Sequence, residues 1–69
     1  MPGTFKLITL VGVSDASYED AIQKAVQDAS KSVRGLSWFE VVELRGKLQG
    51  AKVAQYQIKL QAAFEVEKS

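Results

Sequence analysis

The chain's single tryptophan, Trp38, is the side chain best suited to bind a ligand, because its indole ring offers a large flat surface for stacking. It lies in the run Leu36–Gly46, where apolar and polar residues alternate as they do in a β-strand. A tryptophan on a strand either fills a core or presents its ring to a partner, and the residue type alone favours neither interpretation.

The remaining residue inventory argues against an enzyme. Histidine and cysteine are both absent, which excludes disulfides, thiolate metal ligands and the usual nucleophile–base pairs. By strand parity, Glu40 and Glu43 are predicted to point to opposite faces, so they would not form a shared acid–base site. Asp15, Glu19 and Asp20 could offer oxygen ligands to a metal, but acidic residues are common at helix starts. We therefore predict neither catalysis nor a metal site within one subunit, whereas metal ions on the symmetry axes of an assembly stay an open alternative.

Length and composition place the chain among small globular proteins. Its 69 residues predict a single domain over residues 1–69, which as an isolated monomer would bury too little surface to be very stable. The net charge of +1 offers no broad field to attract nucleic acid or an anionic membrane. The sequence shows neither a signal peptide nor a transmembrane run, so we expect a cytoplasmic protein.

Four elements are predicted in the order β-α-β-β. The first strand covers Thr4–Val11 between two glycines, and a helix begins near Tyr18. The second strand begins at Leu36, and the third runs from about Lys52 to Val66 with strict alternation of apolar and polar residues. For all strands to pair antiparallel, the third must lie between the first and the second.

The helix prediction is based on a stripe of small apolar residues at helical spacing. Either Ser14 or Ser17 can cap its N-terminus, and Gly35 is the expected residue just beyond its C-terminus. The stripe, which one face of a sheet can cover, consists of Ala21, Ile22, Ala25, Val26, Ala29 and Val33.

The third strand is too long for a compact subunit. Fourteen extended residues span about 46 Å, whereas a compact 69-residue domain has a radius of gyration of about 11 Å. The strand must therefore curve around the helix or extend beyond its own subunit, and either arrangement favours assembly. Gly46 and Gly50 compete for the turn that precedes it, so the exact turn stays open.

Parity along the strands bears on the role of Trp38. If Phe39 and Val41 face the helix, Trp38 lies on the opposite face together with Glu40, Val42 and Leu44. A register whose paired residue numbers sum to an odd value, such as 95 or 99, also puts Gln57 on that face. An aromatic ring and a carboxamide suit a flat heterocycle with carbonyl and imide groups.

Taken together, these motifs resemble the dodecins, and the resemblance covers nearly the whole chain. The pattern Ser37–Val41 followed by Arg45-Gly46 resembles the bacterial branch of that family. The other shared pieces are Leu10–Ser14, Ala21-Ile22-Gln23, Tyr56-Gln57 and Ala63-Phe64-Glu65.

The resemblance implies a hollow homododecamer with cubic 23 symmetry that binds flavins in pairs at two-fold interfaces. It implies that Trp38 stacks on the isoalloxazine ring, that Gln57 hydrogen-bonds its polar edge, and that Arg45 and Glu43 lie near the ring or the ribityl chain. FMN is the expected flavin, with riboflavin and FAD as alternatives, and coenzyme A is a secondary ligand of some bacterial members. The implied role is flavin storage and protection from light.

Two other functional classes stay open. A structural or coenzyme A-binding oligomer without flavin function would use the same apolar faces for assembly and bury Trp38 at an interface. A flavin-dependent enzyme would need room for a substrate, which a flavin held between two tryptophan rings would hardly leave.

Overall fold

A computed structural model describes residues 3–66 and shows one α-helix in that range, packed on a three-stranded antiparallel sheet. The elements are β1 (Phe5–Ser14), α1 (Tyr18–Ser30), β2 (Leu36–Gln49) and β3 (Lys52–Glu65). The strand order is β1-β3-β2, with β3 antiparallel to both neighbours. The predicted β-α-β-β order and the central place of the third strand are confirmed. The ends of the predicted domain, residues 1, 2 and 67–69, lie outside the described residues.

Strand β1 is longer than predicted, because it continues through Gly12 to Ser14. Gly12 is needed where α1 crosses the sheet. A Cβ at this position would clash with the carbonyl oxygen of Ala21 and lie 3.0 Å from Cβ of Ala25. The glycine therefore allows a close approach of the helix and does not end the strand.

Helix α1 begins after one of the two predicted N-cap residues and ends earlier than predicted. Ser17 is the N-cap, and its hydroxyl accepts a hydrogen bond from the Asp20 amide at 3.0 Å. The helix ends at Ser30, whose hydroxyl donates to the Gln27 carbonyl at 2.8 Å. Such bonding to the backbone is one reason why serine weakens a helix. Gly35, with φ of +78°, consequently lies in the turn before β2 and not directly after the helix.

The core lies between α1 and the two strands that the helix crosses, β1 and β3. Its buried members are Ala21, Ala25, Ile58, Leu60 and Ala62, flanked by the half-buried Ile8, Leu10, Ile22 and Leu36. The alanines of the predicted stripe let the helix backbone lie close to β3.

The hairpin of β2 and β3 extends well past the helix. A helix of 13 residues is about 20 Å long, whereas each 14-residue strand spans about 46 Å. The described chain measures 53 Å along its longest axis, and its radius of gyration is 14.1 Å. A sheet that one helix covers only in part agrees with the expectation that the long strand reaches beyond a compact subunit.

The hairpin turn is formed by Gly50 and Ala51, between the paired residues Gln49 and Lys52. Gly50 has φ of +62°, whereas Gly46 lies inside β2 with an ordinary negative φ. The ambiguity between the two glycines is thereby resolved in favour of Gly50.

A β-bulge in β2 corrects two predictions about which side chains share a face. Val41 pairs with Leu60, but the next paired residue is Glu43, opposite Lys59, so that Val42 is the extra residue. Leu44 then pairs with the buried Ile58 and lies on the helix side, where strict alternation had placed it on the other face. For the same reason, the prediction that Glu40 and Glu43 point to opposite faces is wrong.

Candidate functional site

The sheet face that points away from α1, called here the outer face, carries an apolar group of side chains at one end. Trp38 pairs with Ala63 of β3, and Ala63 pairs with Leu7 of β1, so the three form one row across the sheet. The Phe5 ring lies next to Trp38, with 6.2 Å between ring centroids and an angle of 49° between planes. These four residues, Phe5, Leu7, Trp38 and Ala63, are termed the aromatic end.

The Trp38 side chain is packed against its neighbours on one side and exposed on the other. Ala63, its partner in the row, is completely buried, whereas the Trp38 side chain keeps 48% of its surface exposed. A small residue beneath a large ring lets the ring lie low on the sheet. An indole with an exposed surface and a packed underside can accept a second flat ring.

A shallow apolar pocket lies beside Trp38, on the helix side of the sheet edge. Its volume is about 110 Å³, and it is lined by Val26, Leu36, Ser37, Trp38, Phe39 and Ala62. Pockets that enclose drug-sized ligands measure about 300–1,000 Å³. This pocket is therefore too small to enclose a flavin ring within one subunit.

Polar and charged side chains occupy the opposite end of the outer face. Arg45 pairs with Gln57, and Glu43 pairs with Lys59 in the adjacent row. The bulge at Val42 places both charged β2 residues on this face. Glu43, Arg45, Gln57 and Lys59 are termed the polar end.

The ion pair at the polar end is loose. The Arg45 Nε and Glu43 Oε1 atoms are 3.8 Å apart, and both side chains are about half exposed. Exposed pairs of this kind contribute about 0–1 kcal/mol to stability. Arg45 is consequently able to turn toward a bound anion at little cost.

Gln57 is the best-oriented polar group of this end. Its Nε2 atom donates a hydrogen bond to Oε1 of Gln55 at 2.9 Å, and both side chains are half-buried. Among residues 3–66, no side-chain or backbone donor is bonded to the side-chain Oε1 atom of Gln57. That oxygen and the second N–H are thus available to a ligand that both donates and accepts.

Trp38 and Gln57 share the outer face as predicted, but one subunit does not bring them together. The register sum around Trp38 is 101, an odd value, and it places Trp38 opposite Ala63, six positions beyond Gln57. Six strand residues span about 20 Å. Of the four predicted site residues, the structure therefore brings together Gln57, Arg45 and Glu43, and leaves Trp38 apart.

Several neighbours of the predicted site residues were not identified as site residues from the sequence, and three of them are aromatic or polar. Phe5 contacts Trp38 from β1, Gln55 bonds to Gln57, and Lys59 lies opposite Glu43. Gln55 and Lys59 could have been found, since they share the parity of Gln57 on a strictly alternating strand. The contact of Phe5 depends on the register of two strand pairs, which alternation does not determine.

A second polar cluster joins the end of β1 to the start of α1. The buried Ser14 hydroxyl donates to Asp20 Oδ2 at 2.6 Å and accepts from the Ala16 amide at 2.9 Å, while Lys24 Nζ lies 3.0 Å from Asp20 Oδ2. The Ser14 hydrogen bond, followed by the Lys24 contact, lowers the pKa of Asp20 from its usual 3.8. The cluster thus anchors the helix start to the sheet.

Residues 3–66 contain no group of three or more acidic side chains close enough to hold a metal ion. In the same range, the helix is too short and too polar to span a membrane.

Comparison with known proteins gives one consistent family. The family model described as Dodecin matches residues 4–67. The curated dodecin of Thermus thermophilus is 42% identical over 69 residues, which is 100% of both chains. The dodecin structure from Streptomyces coelicolor has a TM-score of 0.89 and 36% identity, with 96% of this chain and 94% of that chain covered.

A third relative is named for a metal ion. The crystal structure of calcium dodecin from Mycobacterium tuberculosis is described as that of a calcium-chelating antigen with a novel calcium-binding site. It has a TM-score of 0.80 and 33% identity, and the match covers 97% of this chain and 96% of that chain.

Proposed function

The chain belongs to the dodecin family, and we propose that it is a non-enzymatic flavin-binding protein that stores FMN and suppresses its photochemistry. The observation that carries the proposal is the half-exposed Trp38 ring, whose residue lies opposite the buried Ala63 on the neighbouring strand. An exposed aromatic surface of this kind is costly in water unless a partner covers it.

The side chains of the outer face fit the two parts of an isoalloxazine ring. The flat ring system needs an aromatic surface, which Trp38 offers, with Phe5 and Leu7 extending the apolar surroundings. The imide edge of the ring carries one N–H between two carbonyl groups. The Gln57 carboxamide can accept from that N–H and donate to one of the carbonyls.

The distance between these two groups supports a site shared between subunits. Because Trp38 and Gln57 are about 20 Å apart within one chain, a ring stacked on Trp38 would meet the Gln57 of another copy. A two-fold axis would supply each residue twice and bring two tryptophans face to face. This arrangement is the paired-flavin dodecamer that family membership leads us to expect.

Exposed apolar side chains on β2 support self-assembly. This edge strand has no fully buried residue, and its large apolar members Phe39, Val41, Val42, Leu44 and Leu48 are each 44–68% exposed. Edge strands with such a surface are covered by partners in stable proteins. Assembly through β2 would bury these residues.

Flavin supplies light absorption and redox chemistry when it is bound, and the residues around it decide whether that chemistry is used. Stacked tryptophan would quench the excited ring, and two rings on its faces would exclude a substrate. Arg45, with its guanidinium and loose ion pair, is the proposed contact for the ribityl chain or the phosphate, and Glu43 lies beside it. We further expect storage to take place in the cytoplasm, with riboflavin or FAD as weaker alternatives and coenzyme A as a separate ligand.

The test is a titration of FMN fluorescence with the flavin-free protein, run beside light scattering. The proposal expects strong quenching that saturates near one flavin per chain, on a particle of about 91 kDa for twelve 7.6-kDa chains. A particle of that mass that leaves FMN fluorescence unchanged would contradict the flavin function and leave the structural alternative.

A further inference from the structure

Gln55 and Gln57 form a directed pair on the outer face of β3. Gln57 Nε2 donates to Gln55 Oε1 at 2.9 Å, and the two residues are two positions apart on the same face. A carboxamide can turn over about its last side-chain bond and exchange the places of its donor and its acceptor. The neighbouring side chains determine whether the oxygen or the nitrogen points toward a ligand.

Gln57 has four nearest neighbours on the outer face, and among these only Gln55 has a side-chain atom that can accept a hydrogen bond. Arg45 and Val13 lie directly across from it on β2 and β1, and Lys59 and Gln55 lie two positions away along β3. Arginine and lysine carry donors only, and valine carries neither donors nor acceptors. The Gln57 N–H group therefore finds its partner at the Gln55 oxygen.

We infer that Gln55 is a positioning residue, which holds the Gln57 carboxamide with its nitrogen toward Gln55 and its oxygen toward the bound ring. The inference rests on the proposed flavin function and adds a selection rule to it. A Gln57 oxygen presented in this way selects rings whose edge carries an N–H donor. A turned-over carboxamide would present its NH₂ group to that N–H, and two donors would face each other.

The test compares the binding of FMN with that of FMN methylated on the imide nitrogen, which has lost the N–H donor. The wild-type protein should bind FMN more tightly than the methylated form. Gln55→Ala should weaken FMN binding about fivefold, as expected for one neutral hydrogen bond, and leave the methylated form nearly unchanged. The ratio of the two affinities should therefore fall about fivefold.

Two further variants separate positioning from a general effect on the sheet. Gln55→Glu keeps an oxygen acceptor for Gln57 and should retain the wild-type ratio. Gln61→Ala removes a glutamine from the same face of the same strand, away from Gln57, and should also retain it. Light scattering and circular dichroism on each variant check assembly and strand content, and a crystal structure of the flavin-free Gln55→Ala protein should show a reoriented Gln57.

The outcomes distinguish the inference from the function on which it rests. A wild-type protein that binds neither ligand would overturn both. A wild-type protein that prefers FMN, together with a Gln55→Ala variant of unchanged ratio, would overturn the positioning role alone. The same conclusion would follow if Gln55→Glu lowered the ratio as much as Gln55→Ala does.

Discussion

The aromatic end and the polar end of the outer face are built by different interactions. Trp38 packs against Phe5 and lies opposite Ala63, whereas Gln57 is held by one directed hydrogen bond and has the charged Arg45 and Lys59 as neighbours. Stacking depends weakly on rotation in the plane of the ring, while hydrogen bonding depends strongly on direction. For the proposed flavin site, we therefore expect the aromatic end to provide most of the affinity and the polar end to provide the selectivity.

The two long strands that carry these ends differ in how much of each is buried. Strands β2 and β3 both have 14 residues, yet β3 contains the buried Ile58, Leu60, Ala62 and Ala63, whereas β2 contains no fully buried residue. Changes on the outer face of β2 should therefore affect binding and assembly more than the stability of the subunit. Side chains on the helix side of β3 should behave in the opposite way.

Removal of the stacking ring should have the largest effect on binding. Trp38→Ala should weaken FMN binding about a hundredfold, because stacking on an aromatic side chain contributes about 1–3 kcal/mol. Trp38→Phe keeps a smaller ring and should lose about tenfold. Fluorescence titration measures both affinities, and light scattering should show an assembly of unchanged mass. Equal affinity in the wild-type and Trp38→Ala proteins would contradict the role given to the aromatic end.

Removal of the edge-binding carboxamide should have a smaller effect. Gln57→Ala should weaken FMN binding about tenfold, since two neutral hydrogen bonds of about 0.5–1.5 kcal/mol each are lost. The matched control is Gln61→Ala on the same strand and face, whose Nε2 donates to Thr9 Oγ1 at 3.4 Å. Calorimetric titration of both variants tests the polar end. Similar losses for the two glutamines would indicate a general effect of the sheet surface.

Arg45 should contribute least among the flavin contacts. Arg45→Ala should reduce FMN affinity about two- to fivefold, because the guanidinium is about half exposed and solvent screens it. Riboflavin has no phosphate, so its affinity should change less than that of FMN if Arg45 contacts the phosphate. Titrations of both flavins at low and high salt measure this difference. Identical changes for the two flavins would place Arg45 near the ring or the ribityl chain.

The fold was predictable where the sequence pattern repeats. Strict alternation identified β3 over nearly its whole length, and the spacing of alanines identified α1. The errors occur where one residue interrupts a pattern. From the sequence, Gly12 is predicted to end the first strand. In the structure it lies within β1 and allows α1 to approach closely, a contact that the local sequence does not reveal. The bulge at Val42 leaves no composition signal, and it changes the face of every residue that follows it in β2.

The candidate site was predictable in face but not in distance. Parity correctly put Trp38 and Gln57 on one face, whereas their separation depends on the hairpin register. Gly46 and Gly50 are both compatible with a turn in sequence. Gly46 instead lies within β2, where a Cβ would come within 3.2 Å of the main-chain carbonyl oxygen of Gln55. The turn at Gly50 places Trp38 about 20 Å from Gln57, so the proposed flavin site needs a second subunit to bring the two residues together.

The smallest expected effect is a change in stability caused by Asp20, which lies on the helix and not on the outer face of the sheet. The pKa of Asp20 is lowered in the folded protein, mainly by the Ser14 hydrogen bond and secondarily by Lys24. A carboxylate of this kind stabilises the fold above its unfolded pKa of about 3.8, and this stabilisation is lost as the pH falls below that value. Asp20→Asn should therefore lower the Tm at neutral pH, and the difference from wild type should shrink in acid.

Lys24→Gln is the matched variant for this measurement, because it removes the exposed ion pair and keeps the Ser14 hydrogen bond. It should retain most of the acid dependence that Asp20→Asn loses, since the hydrogen bond is the larger cause of the lowered pKa. Thermal melts from about pH 7 to about pH 2 on the three proteins decide the point. If both variants lost the same amount of the pH dependence of Tm, the stabilisation by Asp20 would come from its charge alone. FMN affinity at neutral pH should stay unchanged in both, because Asp20 and Lys24 belong to α1, which packs on the face opposite Trp38 and Gln57.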